Sequence, residues 1–172
     1  MTSRVSLRFW RFAGAIYAHD GVARACLDVQ DQIGADIPVL LFAFFCGADG
    51  RGRLDAAQIE RTIQAIKPWR DGVVVPLRTL RRAMREPIGG ISDESLRSRI
   101  KRIELAAERR QMDTLSRLLP SSTQGVSLQD RASDAAGNVS VYLTLLSGLS
   151  DSAGKRMVEL LTNAFLQMPP LA

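Results

Sequence analysis

The chain has 172 residues, 46% of them apolar, and this length and composition exclude a disordered chain and favour one globular domain over 1–172. One His and two Cys exclude a zinc site made of four Cys or His side chains. Lys and Arg number 23 against 18 Asp and Glu, and this surplus of five positive charges favours anionic partners.

Helical periodicity dominates the chain and predicts an all-α fold. Apolar residues recur at three- and four-residue spacing in most segments, which is the period of a helix with one buried face. A first helix is predicted over about 3–19 and a second over about 21–33. Asp20 stands just before the second helix, and we predict that its short polar side chain caps that helix.

The third predicted helix, at about 37–47, is apolar on every side. Asp36 is its predicted N-cap, Pro38 lies in its first turn, and Gly34 closes the helix before it. A helix with no polar face is typical of the centre of a fold. The apolar stretch Ile37–Ala48 is shorter than the roughly 20 residues that cross a membrane, so we predict a cytoplasmic protein without a membrane-spanning segment.

Proline predicts the boundaries of the next two helices. Asp55 is expected to cap a fourth helix that ends at Pro68, because proline stops an ordinary helix. Residues 69–72 are predicted to form a turn, and the fifth helix is predicted to begin near Pro76. The expected apolar side chains of the fifth helix are Leu77, Leu80 and Met84.

A long sixth helix is predicted from a Ser92 cap to about Leu119. Its expected buried seam consists of Leu96, Ile100, Ile103 and Ala107. Residues 121–138 contain few apolar side chains and are predicted to be a mobile connection to a C-terminal pair of helices. The predicted fold is a compact single-domain bundle of seven to eight helices around the buried helix.

The strongest charge pattern lies on the fifth helix. Four arginines at positions i, i+3, i+4 and i+7 share one face of it: Arg78, Arg81, Arg82 and Arg85. Such a face favours a phosphate, an acidic protein or a lipid headgroup as its partner, with Trp69 and Arg70 at its entrance. The alternative is that Asp or Glu side chains of neighbouring helices pair with these arginines, or that water solvates them.

The bases of the sixth helix form a different pattern. They surround the helix and alternate with Glu104 and Glu108, which predicts a solvated, salt-bridged exterior. A helix that reads DNA would concentrate its bases on one face, among Asn, Gln or Ser side chains. Non-specific nucleic-acid binding therefore stays as an alternative that rests on net charge.

A second candidate site is a small-molecule pocket near the first two helices. Its side chains would be Trp10, Tyr17, His19, Asp28 and Asp31. Asp28 and Asp31 have the spacing of two carboxylates that share a cation, but no second aspartate pair follows. The chain lacks a phosphate-binding loop and a nucleophile elbow, so we predict no cofactor, no metal and no catalytic residue.

Two stretches of the sequence carry a resemblance to a known family. The matching residues are Phe9, Trp10, Phe12, Tyr17, Val22, Cys26, Leu27, Gln30, Gly34, Asp36, Leu40, Leu41, Trp69, Val74, Pro76, Leu77, Arg78 and Arg82. Over about residues 7–85 the chain resembles an uncharacterised proteobacterial family of short proteins, and the resemblance weakens afterwards. It implies a bacterial, cytoplasmic, helical protein and supplies no activity, substrate or catalytic residue.

Together these patterns predict a non-enzymatic interaction or regulatory module. Its partner would be another protein or an anionic ligand, bound on the arginine face of the fifth helix. One alternative is a small-molecule binding protein or enzyme that uses the pocket near the first two helices. The other is a non-specific nucleic-acid binding protein.

Overall fold

The computed structural model describes residues 4–147 and 152–169, and it confirms the all-α fold. Eight α-helices lie in these residues: α1 Arg4–Tyr17, α2 Val22–Ile33, α3 Ile37–Ala48, α4 Ala56–Trp69, α5 Val75–Ala83, α6 Glu94–Leu115, α7 Leu128–Ser147 and α8 Ser152–Gln167. A π-helical turn, Arg70–Val74, joins α4 to α5, and a 3-10 turn, Ser116–Leu118, follows α6. The described residues contain no β-strand, only an isolated bridge between Ile88 and Ile91.

The predicted central position of α3 is confirmed, because every residue of this helix after Ile37 is buried. Its start is also as predicted: the Asp36 carboxylate accepts a hydrogen bond from the Val39 amide (3.2 Å), and Pro38 lies in the first turn. Gly34 closes α2 in the left-handed conformation, at φ 70°. Among the described residues, no helix combines the length and the apolar character that a membrane crossing requires.

Aromatic side chains fill the space around α3. Phe9 and Phe12 of α1 meet phenylalanines of α3, with ring centroids 5.1 Å apart both for Phe9–Phe45 and for Phe12–Phe45. Phe165 of α8 packs edge-on against Phe44 at 6.0 Å. These rings exclude water from the middle of the bundle, and burial of apolar area is the main stabilising contribution to such a fold.

α3 approaches α7 very closely at Gly47. A methyl group in place of the glycine hydrogen would lie 2.0 Å from the Ala135 amide nitrogen, so only glycine permits this contact. Residues 128–138 belong to α7, and the predicted connection over 121–138 is therefore wrong in its second half. The sequence pattern did not reveal that Asn138 is buried. Its side-chain amide accepts a hydrogen bond from the Leu54 N–H (2.7 Å) and donates one to the Ala43 carbonyl (3.2 Å).

Several predicted helix ends are corrected as well. Gly21, not Asp20, is the N-cap of α2, at φ 80° and without a side-chain cap. Asp93, not Ser92, caps α6 by accepting a hydrogen bond from the Leu96 amide (2.8 Å), and that helix ends at Leu115.

The predicted turn at 69–72 is absent, since the chain stays helical from α4 into α5. Asp55 caps α4 in a reciprocal hydrogen-bonded box with Gln58, and the helix continues through Pro68 to Trp69. The backbone then widens into the π-helical turn, in which the Val75 amide donates to the Arg70 carbonyl. Because Pro76 has no N–H to donate, the preceding turn is free to adopt this wider form.

Candidate functional site

Three of the four arginines of the predicted face form ion pairs within the chain, and two of these, Arg78 and Arg81, bind carboxylates of α6. Arg78 places Nη2 2.6 Å from Glu108 Oε1 and Nε 3.2 Å from Glu104 Oε1. Arg81 binds the same Glu104 carboxylate through Nε and Nη2. The Arg78 and Arg81 side chains are only 13% and 18% exposed, so intramolecular pairing, the alternative left open above, describes this part of the face.

The carboxylates of α6 are therefore not the solvated exterior that the charge pattern predicts. Glu104 is buried, and Glu108 is partly buried beside it. Burial raises the pKa of Glu104, but the hydrogen bonds from Arg81 and Arg78 outweigh it, so the pKa lies below its ordinary value. Burial dominates at Glu108 and raises its pKa despite the hydrogen bond from Arg78.

The other two arginines of the predicted face lie nearer to solvent, and Arg85 falls in the turn after α5 because that helix ends at Ala83. Arg82 forms an ion pair with Asp31 of α2, with Nη2 2.7 Å from Oδ1, and this hydrogen bond lowers the pKa of Asp31. Arg85 is exposed and has no carboxylate within ion-pair distance in the described part of the chain. Of the predicted arginine face, Arg85 is thus the residue left unpaired for a partner.

Trp69 and Arg70 anchor the π-helical turn to its neighbours. The Trp69 indole donates to the Ala107 carbonyl of α6 at 3.0 Å, although part of the ring remains exposed. Arg70 Nε lies 3.0 Å from the Asp36 carboxylate, whose other oxygen accepts from Gln111 at 2.8 Å. These contacts connect the turn to α6 and to the start of α3.

The side chains of the predicted small-molecule pocket have separate partners. The Arg109 guanidinium carbon lies 4.3 Å from the centroid of the Trp10 ring, in a cation–π contact. Asp28 pairs with Arg24 on the same helix at 3.0 Å, and Asp31 pairs with Arg82 at 2.7 Å. Tyr17 is partly exposed, and burial of its hydroxyl, together with Cys26 and Glu108, raises its pKa.

One open depression, about 580 Å³ in volume, lies between α1 and α8. Its polar lining consists of His19, Asp20, Asn163 and Gln167, so His19 is the member of the predicted pocket that it includes. Within the described residues, no group of three or more His, Cys, Asp or Glu side chains is arranged to hold a metal ion.

The segment 75–103, which we call the arm, contrasts with the rest of the fold. It comprises α5, the turn after it and the first part of α6, and all of it is described. Ile100 is its one buried residue. The expected burial of the apolar seams is confirmed for Ile100 and Ala107 but wrong for Leu80, Leu96 and Ile103, which are 47%, 43% and 55% exposed.

The end of the arm is a tight turn with two exposed isoleucines. Gly89 and Gly90 both have positive φ, 58° and 80°, which is the pattern of a type I′ turn. Ile88 and Ile91 exchange both backbone hydrogen bonds at 3.0 Å, so their side chains share one side of the turn. They are 54% and 76% exposed.

The arm also carries the net charge of the protein. Between 75 and 103 there are eight bases and three acids, whereas the rest of the chain has fifteen of each. From residue 86 onward, the acidic and basic residues of the arm lie in two successive segments of the chain. The acidic segment, 86–94, has three acids and no base, and the basic segment, 95–103, has four bases and no acid.

Comparison with known proteins assigns the family of this chain. No curated protein and no solved structure matches it. The model of a family described as "Protein of unknown function (DUF2390)" matches residues 8–115, from α1 to the end of α6. This match confirms the resemblance to a family of unknown function and extends it over the arm. Because more than half of the sequence is matched, the chain belongs to the family DUF2390, proteins of unknown function.

Proposed function

We propose that the protein is a cytoplasmic, non-enzymatic interaction module whose contact surface is the arm. The observation that carries the proposal is the exposure of Leu96 and Ile103, apolar residues one heptad apart on α6, and of Ile88 and Ile91 in the turn that precedes this helix. An exposed apolar patch is typical of an interaction site, and in this proposal the four side chains form one. Side chains of this kind gain free energy when a partner removes them from water.

The charges of the arm favour a protein as the partner. A nucleic acid or an anionic membrane presents negative charge throughout, and the acidic segment 86–94 would be repelled by either. A protein surface can offer both signs, with acids opposite the basic segment 95–103 and bases opposite the acidic one. The alternation of sign along the arm therefore supports a protein contact.

The paired arginines have a supporting role in this proposal. Arg78 and Arg81 hold α5 to α6 through Glu104, and Arg82 holds α5 to α2 through Asp31. These ion pairs fix the direction of the arm, so that its exposed side chains are presented as one surface. The side chains that contact the partner directly are exposed ones, such as Arg85, Arg99 and the apolar side chains.

Site-specific photocrosslinking in living cells tests the proposal. A photoreactive phenylalanine analogue at Ile103 is compared with the same analogue at Leu128 of α7, whose side chain is also about half exposed (55% and 52%). We expect a discrete protein adduct from position 103 and none from position 128. Equal, diffuse labelling from the two positions would contradict the proposal.

Salt dependence separates this function from non-specific nucleic-acid binding. A gel shift with a random-sequence DNA duplex at two ionic strengths would show a steep loss of affinity with salt if phosphate contacts drive binding. We expect no shift at either ionic strength. A strong shift at low salt that Arg99→Glu abolishes would assign the arm to nucleic acid instead.

A further inference from the structure

We infer that the partner of the arm is a second copy of this chain, with the two arms packed antiparallel about a two-fold axis. The inference rests on the proposed function, because it names the partner of the same surface. In a two-fold interface the same patch occurs on both subunits, so a contact between residue i and residue j is made twice. The patch must therefore be complementary to itself.

The division of charge along the arm meets this requirement. The acidic segment 86–94 and the basic segment 95–103 are adjacent and equal in length. Antiparallel packing about an axis near their boundary places each acidic segment opposite the basic segment of the other copy. Parallel packing would place like charges together, which is unfavourable. The pattern thus favours one orientation as well as one partner.

The exposed apolar side chains fit the same arrangement. Leu96 lies at the boundary between the two segments, so it meets the Leu96 of the second copy near the axis. Ile103 is seven residues further along α6, about 10 Å at the rise of an α-helix. On the other side of the boundary lies the turn with Ile88 and Ile91, which then faces Ile103 of the second copy. In this arrangement Leu96, Ile103 and the two isoleucines of the turn each meet an apolar side chain of the second copy.

Charge reversal of the arm provides the test. Sedimentation velocity over a range of concentrations reports the equilibrium between the 18.9 kDa chain and a species of twice that mass. We expect wild-type protein to become dimeric as its concentration rises at low salt. Arg99→Glu/Lys101→Glu/Arg102→Glu makes both segments acidic, so this variant should stay monomeric.

The complementary variant gives the decisive result. Glu86→Arg/Glu94→Arg makes both segments basic and should also stay monomeric alone. Mixed in equal amounts, the two variants should form a dimer, because each acidic arm then meets a basic one. If the mixture remains monomeric although both variants keep the wild-type circular dichroism, the antiparallel arrangement is wrong.

A matched control changes the same number and type of charges outside the arm. Arg61, Lys155 and Arg156 are exposed and form no ion pair in the described part of the chain. Arg61→Glu/Lys155→Glu/Arg156→Glu should dimerise like the wild type. Loss of the dimer in this variant would mean that net charge, and not the arm, controls association.

The outcomes separate this inference from the proposed function. A wild-type chain that is monomeric at every concentration overturns the second copy as partner. A discrete crosslinked adduct of position 103 to a different protein would then leave the proposed function standing. If position 103 gives no adduct and the chain is monomeric, both are wrong.

Discussion

The body of the fold and the arm are both built from helices, yet they differ in what they bury. In α3 every residue after Ile37 is buried, whereas α5 has no buried residue. The apolar period of α5 and α6 is that of an ordinary core-facing helix, and the structure leaves part of it in water. Apolar periodicity therefore predicts a helix and one apolar face, but the surrounding chain decides whether that face is covered.

The two regions also treat charge differently. In the body, Asp49 is fully buried and lies 2.8 Å from both Arg8 and Arg51, so its charge is balanced inside the protein. In the arm, three of the basic segment's bases, Arg99, Lys101 and Arg102, have no ion-pair partner in the described part of the chain. A buried charge requires a partner to be tolerated, whereas an exposed one is available to a second molecule.

The largest expected difference between the regions is in the effect of truncating an apolar side chain. Phe45→Ala in the body should lower the free energy of unfolding by about 3–5 kcal/mol, because it opens a cavity among buried rings. Ile103→Ala in the arm should change it by no more than about 0.5 kcal/mol, because the side chain is mostly solvated already. Urea unfolding of dilute protein measures both. Equal losses would show that the arm is part of the core.

The next largest expected effect on stability comes from removing the ion pairs that join α5 to α6 at the base of the arm. Glu104→Gln removes the charge that Arg78 and Arg81 share, and we expect a loss of roughly 3 kcal/mol in the free energy of unfolding. Glu94→Gln is the matched control, since Glu94 is exposed and its ion pair is with Arg97, a contact that contributes about 0–1 kcal/mol. A larger loss from the control would contradict the anchoring role of Glu104.

The opposite pKa shifts of the two α6 carboxyls predict opposite pH dependences. The pKa of Glu104 is below its ordinary 4.5. Ionised Glu104 therefore contributes fully to the free energy of unfolding above pH 4.5, and this contribution is lost as the pH falls through the folded-state pKa. The pKa of Glu108 is above 4.5, so its ionisation weakens the fold as the pH rises through the folded-state pKa.

The free energy of unfolding, measured between about pH 3 and 7, tests both assignments. In Glu104→Gln it should fall less steeply toward acid pH than in the wild type. In Glu108→Gln the fall on the higher-pH side should disappear. Unchanged profiles in both variants would refute these assignments.

The last prediction does not concern stability; it compares the reactivity of cysteine thiols in the body with that of a thiol introduced in the arm. Cys26 and Cys46 are buried in the body, and burial raises the pKa of each thiol to about 12. Neither should react with a disulfide reagent at pH 8 in the native protein, because reaction requires an accessible thiolate. A cysteine introduced by Ile91→Cys should react at once. Fast reaction of the wild-type chain would mean that the body opens readily.

Local interactions explain which parts of the fold could be predicted from the sequence. Asp36, Pro38 and Gly34 act on residues within one turn of themselves, so the limits of α3 follow from composition and spacing. The burial of Glu104 depends on arginines more than twenty residues earlier in the chain, which no periodic pattern reveals.

Long-range packing likewise explains why α7 was only partly predicted. Its first half contains small residues instead of large apolar ones, because α3 approaches so closely that Gly47 contacts the backbone at Ala135. Asn138 looks like a surface residue in the sequence but binds backbone groups of two other segments. The type I′ turn of the arm was not predicted, although the Gly89–Gly90 pair between two isoleucines is a local signal for it.

Hydrogen exchange at two protein concentrations tests the arm as a contact surface most directly. In dilute protein, amides of 75–103 should exchange faster than those of α3, because they have few buried neighbours. Raising the concentration should slow exchange in 75–103 and leave α3 unchanged, as two arms cover each other. Exchange in the arm that is independent of concentration, or protection that appears on the body instead, would contradict the assignment of the arm as the surface that binds a second copy.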